Sequence, residues 1–237
     1  QTEVEEQVDL MYSLIHQQVD AIVLVPIDSK ALVQPVVEAV RKGVPVINID
    51  IRLDTQLLEQ AGVEVAFVGP DNFAAAYEVG KLLDKKLRNE DKVAIIEGLT
   101  AADNAQQRKR GFIKAIEEKG LRLVASEPAD WETEKAAEVF QAMWMRYPDL
   151  KAVYCSNDAM ALGVLQQMQE KNCYLPVVGF DNDAVMKEFL STGKLVATAD
   201  IFSSQMAVRG IEFALDVLEG KIENRGVHST AYEIIKQ

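Results

Sequence analysis

Ala152-Val153-Tyr154-Cys155-Ser156-Asn157-Asp158 is an apolar run that stops abruptly at small polar and acidic residues. Val46-Ile47-Asn48-Ile49-Asp50 and Val177-Val178-Gly179-Phe180-Asp181 repeat the pattern. Continuous apolar runs of this length, with helical periodicity between them, read as parallel strands buried on both faces. In open parallel sheets, ligands bind just beyond the carboxyl ends of the strands. Asn and Asp gathered there can hydrogen-bond hydroxyl groups, which points to a small polar ligand.

Working outward, strand and helix signals alternate along the whole chain. A helix begins at Thr2, which with Glu5 forms a capping-box pattern; Val4, Val8, Met11 and Ile15 line one face. A strand follows over 21–25, and Ser29 is expected to cap a helix running to about Val40, ended by Gly43. After the strand ending at Asp50 come a looser stretch to Gly62 and a strand over 66–68. The expected helices then span about 71–87, 103–119, 132–145, 159–170 and 204–218. The expected strands span 93–96, 121–125, 195–199 and, last, 231–235. This is an α/β pattern with right-handed crossovers. It opens on a helix, whereas such sheets open on a strand, so a further β-α-β unit of roughly 30–50 residues is expected upstream.

Composition narrows the function classes. The 237 residues are 49% hydrophobic, enough for real cores, and the net charge of -12 disfavours DNA and anionic membrane surfaces. No apolar stretch approaches the roughly 18 residues of a membrane span. Gln1 is not a start residue, so a targeting signal is not to be judged from this N-terminus. Cys155 and Cys173 make no metal motif; a disulfide and two buried thiols are both open readings. Phosphate-loop, dinucleotide-binding and nucleophile-elbow motifs do not occur. His16 and His228 lack metal-ligand spacing and read as surface or helix-end residues, and Trp144 reads as core. Nothing singles out a catalytic carboxylate pair, and the enzyme reading has no positive support.

Asn157-Asp158-Ala159-Met160-Ala161-Leu162-Gly163, followed by Val177 to Asp181, carries a family resemblance. So do Val44-Pro45-Val46 leading to Asp50, Asp71-Asn72 at a helix start, Arg108 with Gly111-Phe112, and Gly193-Lys194-Leu195 with Ala197-Thr198. In this order and spacing the chain resembles, over essentially its full length, the periplasmic sugar-binding proteins of the ribose/galactose type, whose core is shared with LacI-type repressors. The resemblance implies two doubly wound parallel-sheet lobes joined by three crossovers and closing on ligand. On this chain the crossovers are expected near Gly69-Pro70, Ile201-Ser203 and Ser229-Thr230. The lobes are then 1–70 plus 202–230, and 71–201 plus 231–237, the first lacking its initial β-α-β. The run from Leu190 to Ala199 follows the transport-receptor style rather than a Pro-Pro-Leu-Thr-Thr repressor run. The implied function is a receptor that delivers a small sugar or polyol to an ABC permease or signals to a membrane sensor, as in chemotaxis. The effector core of a repressor is the alternative. The resemblance further implies a periplasmic or lipid-tethered location, a signal peptide, no cofactor, no nucleic acid and no direct membrane insertion.

Residue by residue, Asp50 and Asp181 match family carboxylates that accept bonds from sugar hydroxyls; strand-end or helix capping is the other reading of each. Asn157 matches a ligand amide and also fits as the cap of the following helix, with Asp158 as that cap or as support. Trp131 stands where the family has an aromatic ring for sugar C–H faces, or is a half-buried Trp. Two readings fit Arg108: reaching the ligand, or bridging acidic neighbours. The departures are Ile51 where ribose-type members have Arg, with Arg52 one further on; Gln106 in place of another Arg; and Ile201 in place of a ligand Gln, with Gln205 close by. Losing those forks removes bidentate donors, so the ribose hydroxyl pattern is not required of the ligand.

Overall fold

The computed structural model describes residues 2–236, apart from the side chains of Thr2 and Asp84. The capping box expected of Thr2 therefore lies outside the described residues. Two compact units divide the chain. One takes the residues up to Pro70, Ala101–Asn104 and Phe202–Ala231; the other takes Asp71–Thr100, Ala105–Ile201 and the residues from Tyr232.

The first unit is a parallel sheet in the order β1 (Ile22–Leu24), β2 (Val46–Ile49), β3 (Phe67–Pro70), β9 (Val227–Thr230). Alternation along β2 sends Val46 to one face and Ile47 with Ile49 to the other. The Val46 face is thickly covered by Met11 and Ile15 of α1 (Thr2–His16) and by Val33, Val36 and Val37 of α2 (Val33–Arg41). On the Ile47 face lies α9 (Ser203–Leu218), whose Ala214 packs on Ile49 and Val68. The outer side of α9 leaves Val208, Ile211, Leu215 and Leu218 about half exposed, and Val23 of the end strand β1 is also exposed.

Two local expectations are corrected here. Ser29 does not cap α2: the Asp28 carboxylate takes the amides of Lys30 and Ala31, and the helix starts after Leu32. The Ser29 hydroxyl instead accepts from the Asp103 amide. No strand is expected before the crossover near Ser229-Thr230, yet Val227–Thr230 forms one beside β3; its Val-His-Ser-Thr sequence is largely exposed and lacks the apolar run of a buried strand. A short α3 (Thr55–Gln60), capped by Asp54, fills the stretch after Asp50.

The second unit is a sheet in the order β10 (Glu233–Lys236), β8 (Leu195–Asp200), β7 (Val177–Val178), β6 (Ala152–Cys155), β4 (Lys92–Glu97), β5 (Arg122–Pro128). All its pairs are parallel except the last strand in sequence, β10, which runs antiparallel to β8 and begins two residues later than expected. One face packs Val153 and Cys155 against α6 (Thr133–Arg146) and α7 (Asp158–Glu170). There Gly163 lets the helices close, since a Cβ would fall 2.0 Å from the Thr133 carbonyl oxygen. The other face packs Tyr154 on Phe112 of α5 (Asp103–Lys119), ring centroids 5.3 Å apart. The helix expected over 71–87 is α4 (Asn72–Gly80) followed by a 3-10 turn, Lys81–Lys86. A short α8 (Met186–Ser191) lies between β7 and β8. Trp144 is half-buried, stacked on Phe140. Among the described residues, no helix is long and apolar enough to cross a membrane.

Candidate functional site

The chemistry of the second unit gathers around one buried cation at the carboxyl ends of its strands. Arg108, in the second turn of α5, is only 3% exposed. Its Nε donates to Asn72 Oδ1 at 2.9 Å and its Nη1 to the Ser156 carbonyl at 2.8 Å. The guanidinium lies 3.7 Å from the Phe180 ring centroid and 5.5 Å from that of Trp131. Asp181 Oδ1 stands 3.5 Å from Nη1. A buried charge needs partners, and here two hydrogen bonds, a stacked ring and a carboxylate supply them and fix the plane of the fork. Arg108 thus bridges to one acidic neighbour, Asp181, and to two neutral acceptors.

Backbone conformation aims the neighbours. Asp181 has φ of 109° and Asn182 of 60°, so the chain turns through two left-handed residues immediately after Phe180. Asp130 and Trp131 do the same after β5, at 52° and 70°. That turn lays the Trp131 indole flat over Gly98, where a Cβ would fall 2.0 Å from the ring. Such conformations cost about 1–3 kcal/mol each and persist where surrounding structure enforces them. Trp131 is half-buried, as either of its readings requires.

Asn157 is the cap of α7: its Oδ1 accepts from the Met160 amide at 2.9 Å. Asp158 is not the cap. It is fully buried, accepts from the Asp183 amide at 2.8 Å and the Thr198 hydroxyl at 2.9 Å, and burial pushes its carboxyl up to about 7. Gln106 turns back to donate to the Thr100 carbonyl. Glu97, buried at the end of β4, is held by Lys109 at 2.8 Å and by the Ser126 hydroxyl.

The first unit carries the remaining expected residues. Asp50 follows β2 with φ of 62°, is half-buried, and donates its amide to the Val68 carbonyl at 3.2 Å. Buried Asn48 fixes the loop beyond it, donating to the Ile51 carbonyl and accepting from the Leu53 amide. Arg52 lies over the Phe67 ring and lines a hollow of about 430 Å³ with Thr55, Glu59, Val65 and Val227. Val65 precedes β3 and Val227 starts β9, so this hollow lies at the amino-terminal ends of those strands, not at the carboxyl-end rim. Gln205 is exposed in the first turn of α9.

The structure thus brings Arg108, Trp131 and Asp181 together, with Asn157 next in sequence to Ser156, which Arg108 bonds. Asn72, Ser156 and Phe180 were not singled out as site residues by sequence reading. Asn72 opens a helix in the Asp71-Asn72 pair, the one signal that could have drawn attention to it; Ser156 acts through its carbonyl and leaves no trace in residue type. Both cysteines are free; Cys155 is buried, and burial raises its thiol well above the usual range. His16 is exposed at the end of α1, and His228 is exposed on β9 against Phe213. Among the described residues, no cluster of three His, Cys, Asp or Glu side chains could hold a metal.

The chain as a whole is similar to known proteins. The family model described as "Periplasmic binding protein domain" matches residues 1–222. A D-ribose/D-allose-binding protein of Pseudomonas aeruginosa is 41% identical over 240 residues, covering 99% of this chain and 75% of its own length. An ABC transporter solute-binding protein structure from Burkholderia multivorans superposes with a TM-score of 0.94 at 40% identity, covering 99% of this chain and 84% of that one. A periplasmic solute-binding protein from Actinobacillus succinogenes, with bound D-allose, superposes at 0.91 with 32% identity over 98% of this chain and 84% of that one. Nothing in these likenesses favours the repressor core. The chain belongs to the periplasmic binding protein family.

Proposed function

We propose that the chain is a sugar receptor which captures a small monosaccharide or polyol at the carboxyl-end rim of its second unit. The observation that carries this reading is the fixed fork of Arg108, locked by Asn72 and Ser156 and placed between the Phe180 and Trp131 rings beside Asp181. A sugar ring asks for these groups. The Asp181 carboxylate accepts from hydroxyls, Arg108 donates to hydroxyl or ring oxygens, and the Trp131 face packs on C–H groups. Asn157 can donate through Nδ2, since its cap bond uses Oδ1. Asp50 is proposed as a further hydroxyl acceptor.

Guides to the ligand are a relative named for D-ribose and D-allose and a solved structure with bound D-allose. Ile51 and Gln106 take the places of two ribose-type arginines, so the proposed class is a monosaccharide or polyol and D-allose is the first compound to try. Binding is proposed to leave the sugar unchanged. The proposal extends to a periplasmic location and to delivery to an ABC permease.

A thermal-shift panel of D-allose, D-ribose, D-galactose, xylitol and myo-inositol tests the reading. A ligand at about 100 times its Kd stabilises by about 2.7 kcal/mol. For a chain of this size that raises the Tm by about 5–11 °C. A panel in which no sugar or polyol moves the Tm contradicts it.

A further inference from the structure

We infer that Asp158 is the positioning residue for Asp181: it holds the 180–183 loop in the strained backbone that presents that carboxylate. The inference rests on the sugar-receptor reading for its functional consequence, but its geometry stands apart from it.

Asp158 and Thr198 are both fully buried and joined, the threonine hydroxyl donating to Asp158 Oδ1 at 2.9 Å. Every residue around Asp181 is tied to this pair. The Asp158 amide donates to the Phe180 carbonyl at 2.7 Å. The Asn182 amide donates to Thr198 Oγ1 at 3.2 Å, and the Asp183 amide to Asp158 Oδ2 at 2.8 Å. Asn182 is held a second time, its Nδ2 donating to Asp200 Oδ2 at 2.9 Å. Asp181 itself contributes its amide to the Ala199 carbonyl at 2.7 Å.

Between these ties sit the two left-handed residues, Asp181 and Asn182. A non-glycine residue holds such a conformation only where its surroundings over-determine it. Gly179 belongs to the same device. A Cβ there would fall 2.0 Å from Asp158 Oδ1, so the small residue admits the carboxylate beneath the loop. Burying a carboxylate is costly, and that cost is hard to account for by packing alone when an apolar side chain could fill the site. Its two oxygens serve two donors from different elements, which an apolar residue cannot do. Asp158 touches Asp181 only through the backbone it holds, so it acts by position.

The test uses the full chain and three variants: Asp158→Ala, Asp158→Asn and Thr198→Val. Hydrogen exchange by mass spectrometry is read without sugar, and calorimetry is read with D-allose and D-ribose. In D158A the amides of 180–184 are expected to exchange faster while those of α6 and β4 keep the wild-type rate. Affinity for whichever sugar binds falls by about 10- to 100-fold, the loss of one hydrogen bond to a charged group. T198V shifts both readouts in the same direction. D158N keeps the bond from the Asp183 amide but reverses the one to Thr198, so its affinity loss is smaller than that of D158A. Unchanged exchange at 180–184 in D158A, exchange that rises equally throughout the unit, or altered exchange with unaltered affinity overturns the inference. If the wild type binds neither sugar while exchange responds locally, the clamp stands and the ligand assignment falls.

Discussion

Replacing Arg108 by Lys keeps the charge and removes the fork. In the structure Nε and Nη1 of one planar group serve two acceptors, Asn72 Oδ1 and the Ser156 carbonyl. A lysine ammonium on the same stem reaches one of them and strands the other at a site only 3% exposed. The lost charge-assisted bond costs about 1.5–3 kcal/mol. Losing the guanidinium stack on Phe180, at 3.7 Å, adds about 1 kcal/mol. A total of about 3 kcal/mol lowers the Tm of a chain this long by about 6–12 °C. Differential scanning calorimetry at neutral pH reads that loss, and titration calorimetry with the sugar that binds reads an affinity loss of at least about tenfold. If R108K melts within about 2 °C of wild type and binds as well, the fork is not what organises the rim.

Further outcomes follow from single contacts. Gly98→Ala places a methyl group where the Trp131 ring lies, so sugar affinity and Trp131 emission should change together while the far-UV circular dichroism stays native. Burial, aided by the nearby carboxylates of Asp181 and Asp183, raises the Asp158 carboxyl to about 7 from 3.8. Its stabilising contribution is complete below the unfolded value and is lost as pH rises through about 7. The unfolding free energy between pH 5 and 7 should therefore fall with rising pH, by at most about 1.4 kcal/mol per pH unit, and D158N should flatten the slope. The exposed stripe on α9 predicts concentration-dependent association of this chain in sedimentation, which Ile211→Glu with Leu215→Glu should suppress.

How far this was legible in the sequence differs by residue. The three apolar runs ending in polar residues announced buried parallel strands, and β2, β6 and β7 are where they belong. A strand buried on both faces leaves that continuous mark. The edge strand β9 leaves none, because three of its four residues are exposed and three are polar. Arg108, Trp131 and Asp181 were legible through the family resemblance, which points to those residue types at those places. Their arrangement was not. Asn72 is 36 residues from Arg108 in sequence, and Ser156 contributes a carbonyl oxygen that any residue would offer. Ser29 misled because serine before a helix is a common cap, and here a nearer Asp28 carboxylate won the competition for the first amides. Asp158 was read as cap or support, and only tertiary contacts with β8 distinguish the two.

The Trp131, Arg108 and Asp181 rim is proposed to bind a sugar, and the chain carries its own reporter for that event. With only two tryptophans, Trp144→Phe leaves Trp131 as the sole indole. Titrating W144F with D-allose, D-ribose and a panel of monosaccharides and polyols while following emission is the most direct measurement. The account predicts a saturable change with at least one of them, weakened by Asp181→Ala. An emission spectrum that no sugar or polyol alters at millimolar concentration, in a chain shown to be folded, contradicts it.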